Sequence, residues 1–329
     1  MKFVRPLLFL LVMLIAPTAH AIDGKLTHVP LVSRNVPGPV DIAVYLPPNY
    51  DPARTKPYPL LIQLHGGNGS SANMTGMANI LDDAIKSGTI EPVVSVMPSA
   101  ERSFYMDYKD GSQKWEAFIL SDLMPYMRSH YHVVQGRDGT LITGISMGGM
   151  GSLRIAFKHP ELFQAVASQE PGIEPALSYD DIQVRDRFWR GEPIFEEKYG
   201  KPVDRAYWAA NNPANIAKAN PDRLLGLGIY LEVGDQDMFY LNHGTEFLHR
   251  ILFDAGISHE YRLVKGADHV GPSIQVRNRD ALAFLQRELN PPRDWINEQV
   301  LTARAQNDAL KRLAGMPVVP VDPRRIHTR

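Results

Sequence analysis

The chain has 329 residues, 35 basic and 36 acidic side chains, 44% apolar residues and no cysteine. That near-balance argues against nucleic acid as the main ligand, which calls for clustered basic residues. The missing cysteine excludes disulfides, thiolate metal sites and a cysteine nucleophile.

Residues 1–21 read as a secretory signal peptide, because Lys2 and Arg5 precede an apolar run and Ala19-His20-Ala21 puts small residues at both cleavage positions. A membrane anchor is disfavoured: spanning needs about 20 apolar residues, and this run is shorter and ends at Pro17. Cleavage leaves 33 basic and 36 acidic side chains, with no transmembrane segment expected in the mature chain. A periplasmic or secreted location follows.

Strands are expected over 26–33 and over 40–46, where the alternation stops at Pro47-Pro48. The apolar stretch 58–64 is a third strand, and 73–86 a helix with Met77, Ile80, Leu81 and Ile85 on one face and Gly88 as its stop. A buried strand over 92–97 and a helix over 115–130 follow, then a strand over 140–143, a helix ending at Lys158 and a short strand over 165–168. Strand, helix and strand over 226–233, 241–255 and 259–264 lead to a last helix over 273–289. This alternation predicts an α/β fold with a mostly parallel sheet flanked by helices.

Two stretches break the rhythm. Residues 172–223 carry Trp189, Trp208 and several prolines but no strand signal, and are expected to insert over the carboxyl edge of the sheet. Beyond Pro291-Pro292, Asp294 is positioned to cap a helix that Gly315 and Pro317 stop near Ala314. The expected organisation is a signal peptide (1–21), an α/β domain (22–290) bearing the insertion, and a C-terminal helix and tail (291–329).

The chemistry centres on Gly144-Ile145-Ser146-Met147-Gly148, a Gly-x-Ser-x-Gly pentapeptide between a strand and a helix. Such a turn lifts the serine hydroxyl above the sheet and offers the next N–H, that of Met147, to an oxyanion. A serine nucleophile needs an acid and a histidine base, which in this architecture follow in that order on strand-end loops. Gly234-Asp235-Gln236-Asp237 and Lys265-Gly266-Ala267-Asp268-His269 supply them. For the acid, Asp237 lies far enough past its strand to turn back toward the histidine, with Asp235 and Glu170 as the other candidates. His65-Gly66-Gly67 ends the strand over 58–64, and its bare backbone is expected to complete the oxyanion site. His65 is read as bracing that loop and His243 as capping or packing its helix. A metal on the acid loop is disfavoured, since no histidines cluster there at ligand spacing.

Together "HGG" (65–67), "SFYMDYKDGSQKWEAFILSDLMPY" (103–126), "GISMGG" (144–149), "YW" (207–208) and "GDQD" (234–237) resemble the esterase D family of α/β-hydrolases. That family includes S-formylglutathione hydrolases, feruloyl and acetyl-xylan esterases, and mycolyltransferases. The resemblance spans about residues 30–290 and implies an α/β-hydrolase fold with Ser146 as nucleophile, Asp237 as acid and His269 as base. It also implies oxyanion donors at Met147, Gly66 and Gly67. The chain departs from relatives at the base, where they commonly show Gly-x-His and this sequence has Gly-Ala-Asp-His.

The expected function is an exported serine esterase acting on a small-molecule or carbohydrate-linked ester through an acyl-enzyme, without cofactor or metal. An acyltransferase on the same triad, and a carbohydrate- or lipid-binding protein that keeps the scaffold without turnover, are the alternatives. Tyr105, Trp189 and Trp208 are expected to contact substrate, because aromatic loops at the carboxyl edge form ligand walls in α/β proteins.

Overall fold

Strands β3 (Leu60–Leu64), β4 (Val94–Pro98), β6 (Ala165–Gln169) and β7 (Gly228–Gly234) are buried at every position. Strands covered on both faces have this pattern, and helices must therefore lie on each side. The computed structural model describes residues 22–292, 296 and 298–318. The expected signal peptide, the capping Asp294 and the extreme C-terminus lie outside the described residues.

With β1 (Lys25–Val32), β2 (Pro39–Leu46), β5 (Thr140–Ile145) and β8 (Glu260–Val264), these strands form one sheet in the order β1-β2-β4-β3-β5-β6-β7-β8. β2 runs antiparallel to both neighbours, and every pairing from β4 to β8 is parallel. This is the α/β-hydrolase arrangement. Side chains alternate between its faces with the period of two that a pleated strand imposes. Ile42, Leu60, Ile62, Ile142 and Val166 join one core layer, whereas Ala43, Leu61, Leu141, Ala165 and Tyr230 join the other.

The second layer is covered by α1 (Met74–Lys86) and by α9 (Ser273–Leu289), which contribute Leu81 and Leu285 to it. The first is covered by helices on the other side of the sheet, above all α4 (Met147–Lys158), nearly all of which is buried against β3, β5 and β6. Fully buried Leu153 and Phe157 of α4 are each worth about 1.5–3 kcal/mol of burial.

The expected helix over 115–130 is not uniform: α2 (Trp115–Phe118) and α3 (Met124–His130) are joined by a π turn at Ile119–Leu123. Pro125, at the start of α3, has no N–H to donate backwards, so the regular ladder cannot pass through it.

The insertion holds α5 (Glu192–Tyr199), α6 (Arg205–Asn211) and α7 (Pro213–Ala219), with short 3-10 turns before α5 and after α7. Asp204 caps α6 by accepting from the Tyr207 N–H at 2.9 Å. α7 packs on α4 and on α8 (Leu241–Asp254), which ties the insertion to the helix behind the serine. After the sheet, α10 (Glu298–Leu313) buries none of its residues fully and ends at Gly315, whose φ of +69° suits glycine. No helix among the described residues is long and apolar enough to cross a membrane.

Candidate active site

Ser146 sits where β5 becomes α4, with φ 58° and ψ −116°, a backbone conformation costly for a residue with a side chain. The strain is held from three sides. The Ser146 N–H donates to the Gln169 carbonyl at 2.9 Å, and the Ser146 carbonyl accepts from Met150 at 3.0 Å and from Gly172 at 3.2 Å. Gly144 and Gly148 make the turn possible. A Cβ on Gly144 would lie 2.3 Å from the Gly148 oxygen, and one on Gly148 would lie 2.0 Å from the Leu64 oxygen. Both glycines of the pentapeptide are thus required by backbone crossing at one point, and not merely by the tightness of the turn.

The loops after β7 and β8 bring their side chains to this serine. His269 Nε2 lies 3.1 Å from Ser146 Oγ, and His269 Nδ1 lies 2.8 Å from Asp237 Oδ2. The other Asp237 oxygen accepts from the N–H groups of Phe239 at 2.8 Å and Leu241 at 3.2 Å, so the carboxylate cannot rotate away. Burial disfavours the Asp237 charge, but the hydrogen bond with His269 and the Glu170 carboxyl close by outweigh it and hold the carboxyl below its usual range. An ionised Asp237 fixes the proton on His269 Nδ1 and leaves Nε2 free to accept from the serine. Phe239 stands edge-on to the imidazole at 4.8 Å between centroids.

The other acid candidates have different partners. Asp235 accepts from the Gly266 N–H at 2.6 Å and so ties the acid loop to the base loop. Glu170 lies fully buried behind Asp237. The extra residue of Gly-Ala-Asp-His has a role that spacing did not reveal. Asp268 Oδ1 accepts from Met238 at 2.9 Å and from His269 at 2.7 Å, a second tie between the two loops. His243 pairs with buried Asp186 at 3.0 Å and not with the serine.

At the end of β3, His65 Nε2 accepts from the Ala100 N–H at 2.9 Å, which places the ring proton on Nδ1, where it donates to the Gly66 carbonyl at 2.7 Å. Burial lowers the His65 pKa and keeps the ring neutral. His65 therefore shapes the Gly66-Gly67 loop. That loop runs beside the nucleophile, since a Cβ on Gly66 would lie 3.5 Å from the Ser146 Cβ. The N–H groups of Gly67 and Met147 have no acceptor among the described residues, the second because it opens a helix.

A cavity of about 950 Å³ opens at Ser146, bounded by the 65–69 loop, Trp189, Phe239 and His269, and continues between α1 and α9 past Met77 and Ile274. Its size suits a small-molecule ligand. A wider groove, about 1570 Å³, lies at the opposite, amino end of the strands near Pro59, Gly139 and Gly228, and none of the nucleophile, base or acid candidates reaches it.

Of the three aromatics expected at the substrate, Trp189 lines the cavity, packed edge-on against Phe239 at 5.5 Å. Tyr105 and Trp208 do not line it, and this corrects the expectation. Tyr105 is fully buried, packs against Gly151 of α4 and donates its hydroxyl to the His65 carbonyl at 3.3 Å. Trp208, on α6 of the insertion, is fully buried against Tyr179, 5.8 Å between centroids. Both are core because the loop and helix that carry them turn those side chains inward.

The esterase family model matches residues 33–286. The chain is 30% identical over 106 residues to an acetyl esterase of Caldicellulosiruptor saccharolyticus, a match covering 32% of this chain and 38% of that protein. It is 29% identical over 250 residues to an esterase of Mycobacterium tuberculosis, covering 71% of this chain and 53% of that protein. The chain thus spans about half or less of the length of these relatives. Among solved structures it is similar to a ferulic acid esterase, with TM-score 0.67 and 20% identity, over 82% of this chain and 100% of that one. An S-formylglutathione hydrolase from Agrobacterium tumefaciens superposes with TM-score 0.65 and 21% identity, over 82% and 97%.

Because only the acid bonded to the imidazole holds its tautomer, Asp237→Asn is expected to lower kcat on an aryl ester by roughly four orders of magnitude. Asp235→Asn, which loosens a loop tie, is expected to lower it by less than about tenfold. Steady-state rates of the two folded variants, side by side, check the assignment.

Proposed function

The chain belongs to the esterase family, and from that premise we propose that it is an exported serine esterase. The observation that carries the reading is the continuous line of contacts from Asp237 through His269 to Ser146, at 2.8 and 3.1 Å, on the strained turn.

In this reading Ser146 Oγ attacks the ester carbonyl carbon while His269 Nε2 takes its proton, and the tetrahedral oxyanion is held by backbone N–H groups of Met147 and the Gly66-Gly67 loop. Collapse breaks the bond to the alcohol oxygen, which receives the proton from His269 and leaves. Water then enters and gives a proton to His269 as it attacks the acyl carbon; collapse breaks the bond to Ser146 Oγ, which takes that proton back, and the acid product leaves. Asp237 stays ionised throughout and stabilises the imidazolium that forms twice. Serine, imidazole, carboxylate and backbone supply every proton and charge this sequence needs, so no cofactor enters it.

The proposed substrate is a small-molecule or carbohydrate-linked ester whose acyl or alcohol part occupies the cavity beside Trp189. The names of the acetyl and ferulic acid esterases to which the chain is similar support that class. The catalytic unit is proposed to be residues 22–290 and the tail 291–329 an appendage. Export to the periplasm or beyond rests on the charged start, apolar run and Ala-x-Ala ending of residues 1–21.

Three measurements test these statements. Wild type is expected to hydrolyse p-nitrophenyl acetate and Ser146→Ala to fall to background. Trp189→Ala is expected to change the kcat/KM ratio between that ester and methyl ferulate by more than about threefold, equivalent to about 0.65 kcal/mol of differential transition-state binding. Equal turnover by Ser146→Ala would remove the serine mechanism, and an unchanged ratio would remove Trp189 from the substrate wall. For export, intact-mass analysis of envelope material is expected to give a chain beginning at Ile22, and full-length protein confined to the native cytoplasm would contradict it.

A further inference from the structure

Behind the acid of the proposed triad lies a buried polar cluster that the mechanism above does not use. Glu170, Glu232 and Arg277 are each 2% exposed or less. They come from the ends of β6 and β7 and from α9, and sequence separations of 45 and 107 residues part Arg277 from its two acidic partners. The guanidinium bridges both acids: Nε donates to Glu232 Oε1 and Nη2 to Glu170 Oε1, while Nη1 reaches the Asp268 carbonyl at 3.0 Å. Glu232 Oε2 accepts from the Tyr230 hydroxyl at 2.7 Å, and Glu170 Oε1 also accepts from the Gly234 N–H at 3.1 Å.

Every oxygen of the two glutamates has a donor except Glu170 Oε2, which is buried without one. The Glu170 carboxyl instead faces another acid, with a carboxylate oxygen of Glu170, one of Asp237 and an imidazole nitrogen of His269 all within 4.8 Å of one another. A carboxylate oxygen aimed at a carboxylate, both out of water, is repulsive unless one carries a proton. Charge counting agrees. With Glu170 ionised, one guanidinium would face three buried carboxylates. With Glu170 neutral, Arg277 and Glu232 form one compensated pair and Asp237 keeps the single negative charge that His269 needs.

We propose that Glu170 is a positioning residue: it carries its proton on Oε2, donates it to Asp237, and so fixes the carboxylate that orients His269. This rests on Asp237 being the triad acid. Burial and the adjoining Asp237 push the Glu170 carboxyl up to about 9, against the opposing pull of Arg277. The charged and titratable groups that face it are Arg277 from α9, Glu232 at the end of β7, Asp237 from the acid loop and His269 from the base loop. A carboxyl with a raised folded value binds its proton more tightly in the folded chain, so its share of stability is intact at low pH and is lost as pH rises through about 9. The same titration removes the donor to Asp237 and sets a second negative charge against it. Activity is therefore expected to have an alkaline limb near that pH.

The experiment is the pH profile of kcat, blank-corrected, for wild type, Glu170→Gln, Glu170→Ala and Asp237→Asn, with Tm measured on each. Glutamine keeps a donor toward Asp237 but cannot titrate, whereas alanine removes the donor. The expected result is a wild-type alkaline limb near pH 9 that is absent in Glu170→Gln, and a loss of about tenfold or more at pH 7 in Glu170→Ala that Glu170→Gln largely restores. An unchanged limb in Glu170→Gln, or wild-type kcat at pH 7 in Glu170→Ala, overturns the proposal. Full activity of Asp237→Asn would instead show that the assignment of the triad acid had failed, whatever the Glu170 variants did. If Glu170→Ala does not fold, the Glu170→Gln profile decides alone.

Discussion

Three backbone segments cross beneath Ser146 too closely to admit a side chain between them: the end of β3, the end of β5 and the first turn of α4. No Cβ fits at Gly144 or Gly148, because either would run into a main-chain oxygen of the opposing segment. That crossing forces the Ser146 backbone to a positive φ and turns the hydroxyl off the carboxyl edge of the sheet. It also brings the Gly66 backbone alongside the serine and starts α4 at Met147 with an unpaired N–H. Nucleophile and oxyanion donors are therefore consequences of one close approach, and α4 has to be almost wholly buried to keep it.

The base and acid arrive on separate loops, and loops alone would not hold an imidazole within hydrogen-bond reach of a hydroxyl. They are fastened to each other. Asp235 spans to Gly266 and Asp268 spans to Met238, so each loop supplies a carboxylate to the other's backbone. Arg277 then fixes the base loop to α9 through the Asp268 carbonyl and reaches the acids at the ends of β6 and β7. Buried ion pairs of this kind contribute little net stability, since desolvation offsets attraction, but they specify geometry where apolar packing would tolerate drift.

Much of this was legible in the sequence because it depends on short-range order. The sheet strands read as apolar runs, the glycines around Ser146 mark a turn that only they permit, and an acid and a histidine follow on successive strand-end loops. What stayed hidden depends on contacts between distant residues. Nothing local distinguishes Trp189, which lines the cavity, from Trp208, which is buried in the core of the insertion, since both sit in the same proline-rich segment. Tyr105 looked like a substrate wall from its aromatic neighbours, yet the positive φ values of Phe104 and Tyr105 mark a chain reversal, and its ring packs on Gly151. Arg277 reads as a polar helix position, and only the fold brings it to Glu170 and Glu232. The π turn before α3 was foreshadowed only by Pro125, a residue that also fits the first turn of an ordinary helix.

The central claim is that the strained turn and the two fastened loops make Ser146 a nucleophile activated by His269. Peptide mapping after reaction with a fluorophosphonate measures this most directly. One adduct per chain is expected, on Ser146, forming at least about a hundredfold more slowly in a folded His269→Ala variant, as loss of a general base requires. An adduct on another residue, or labelling of Ser146 at the wild-type rate without His269, would contradict the account.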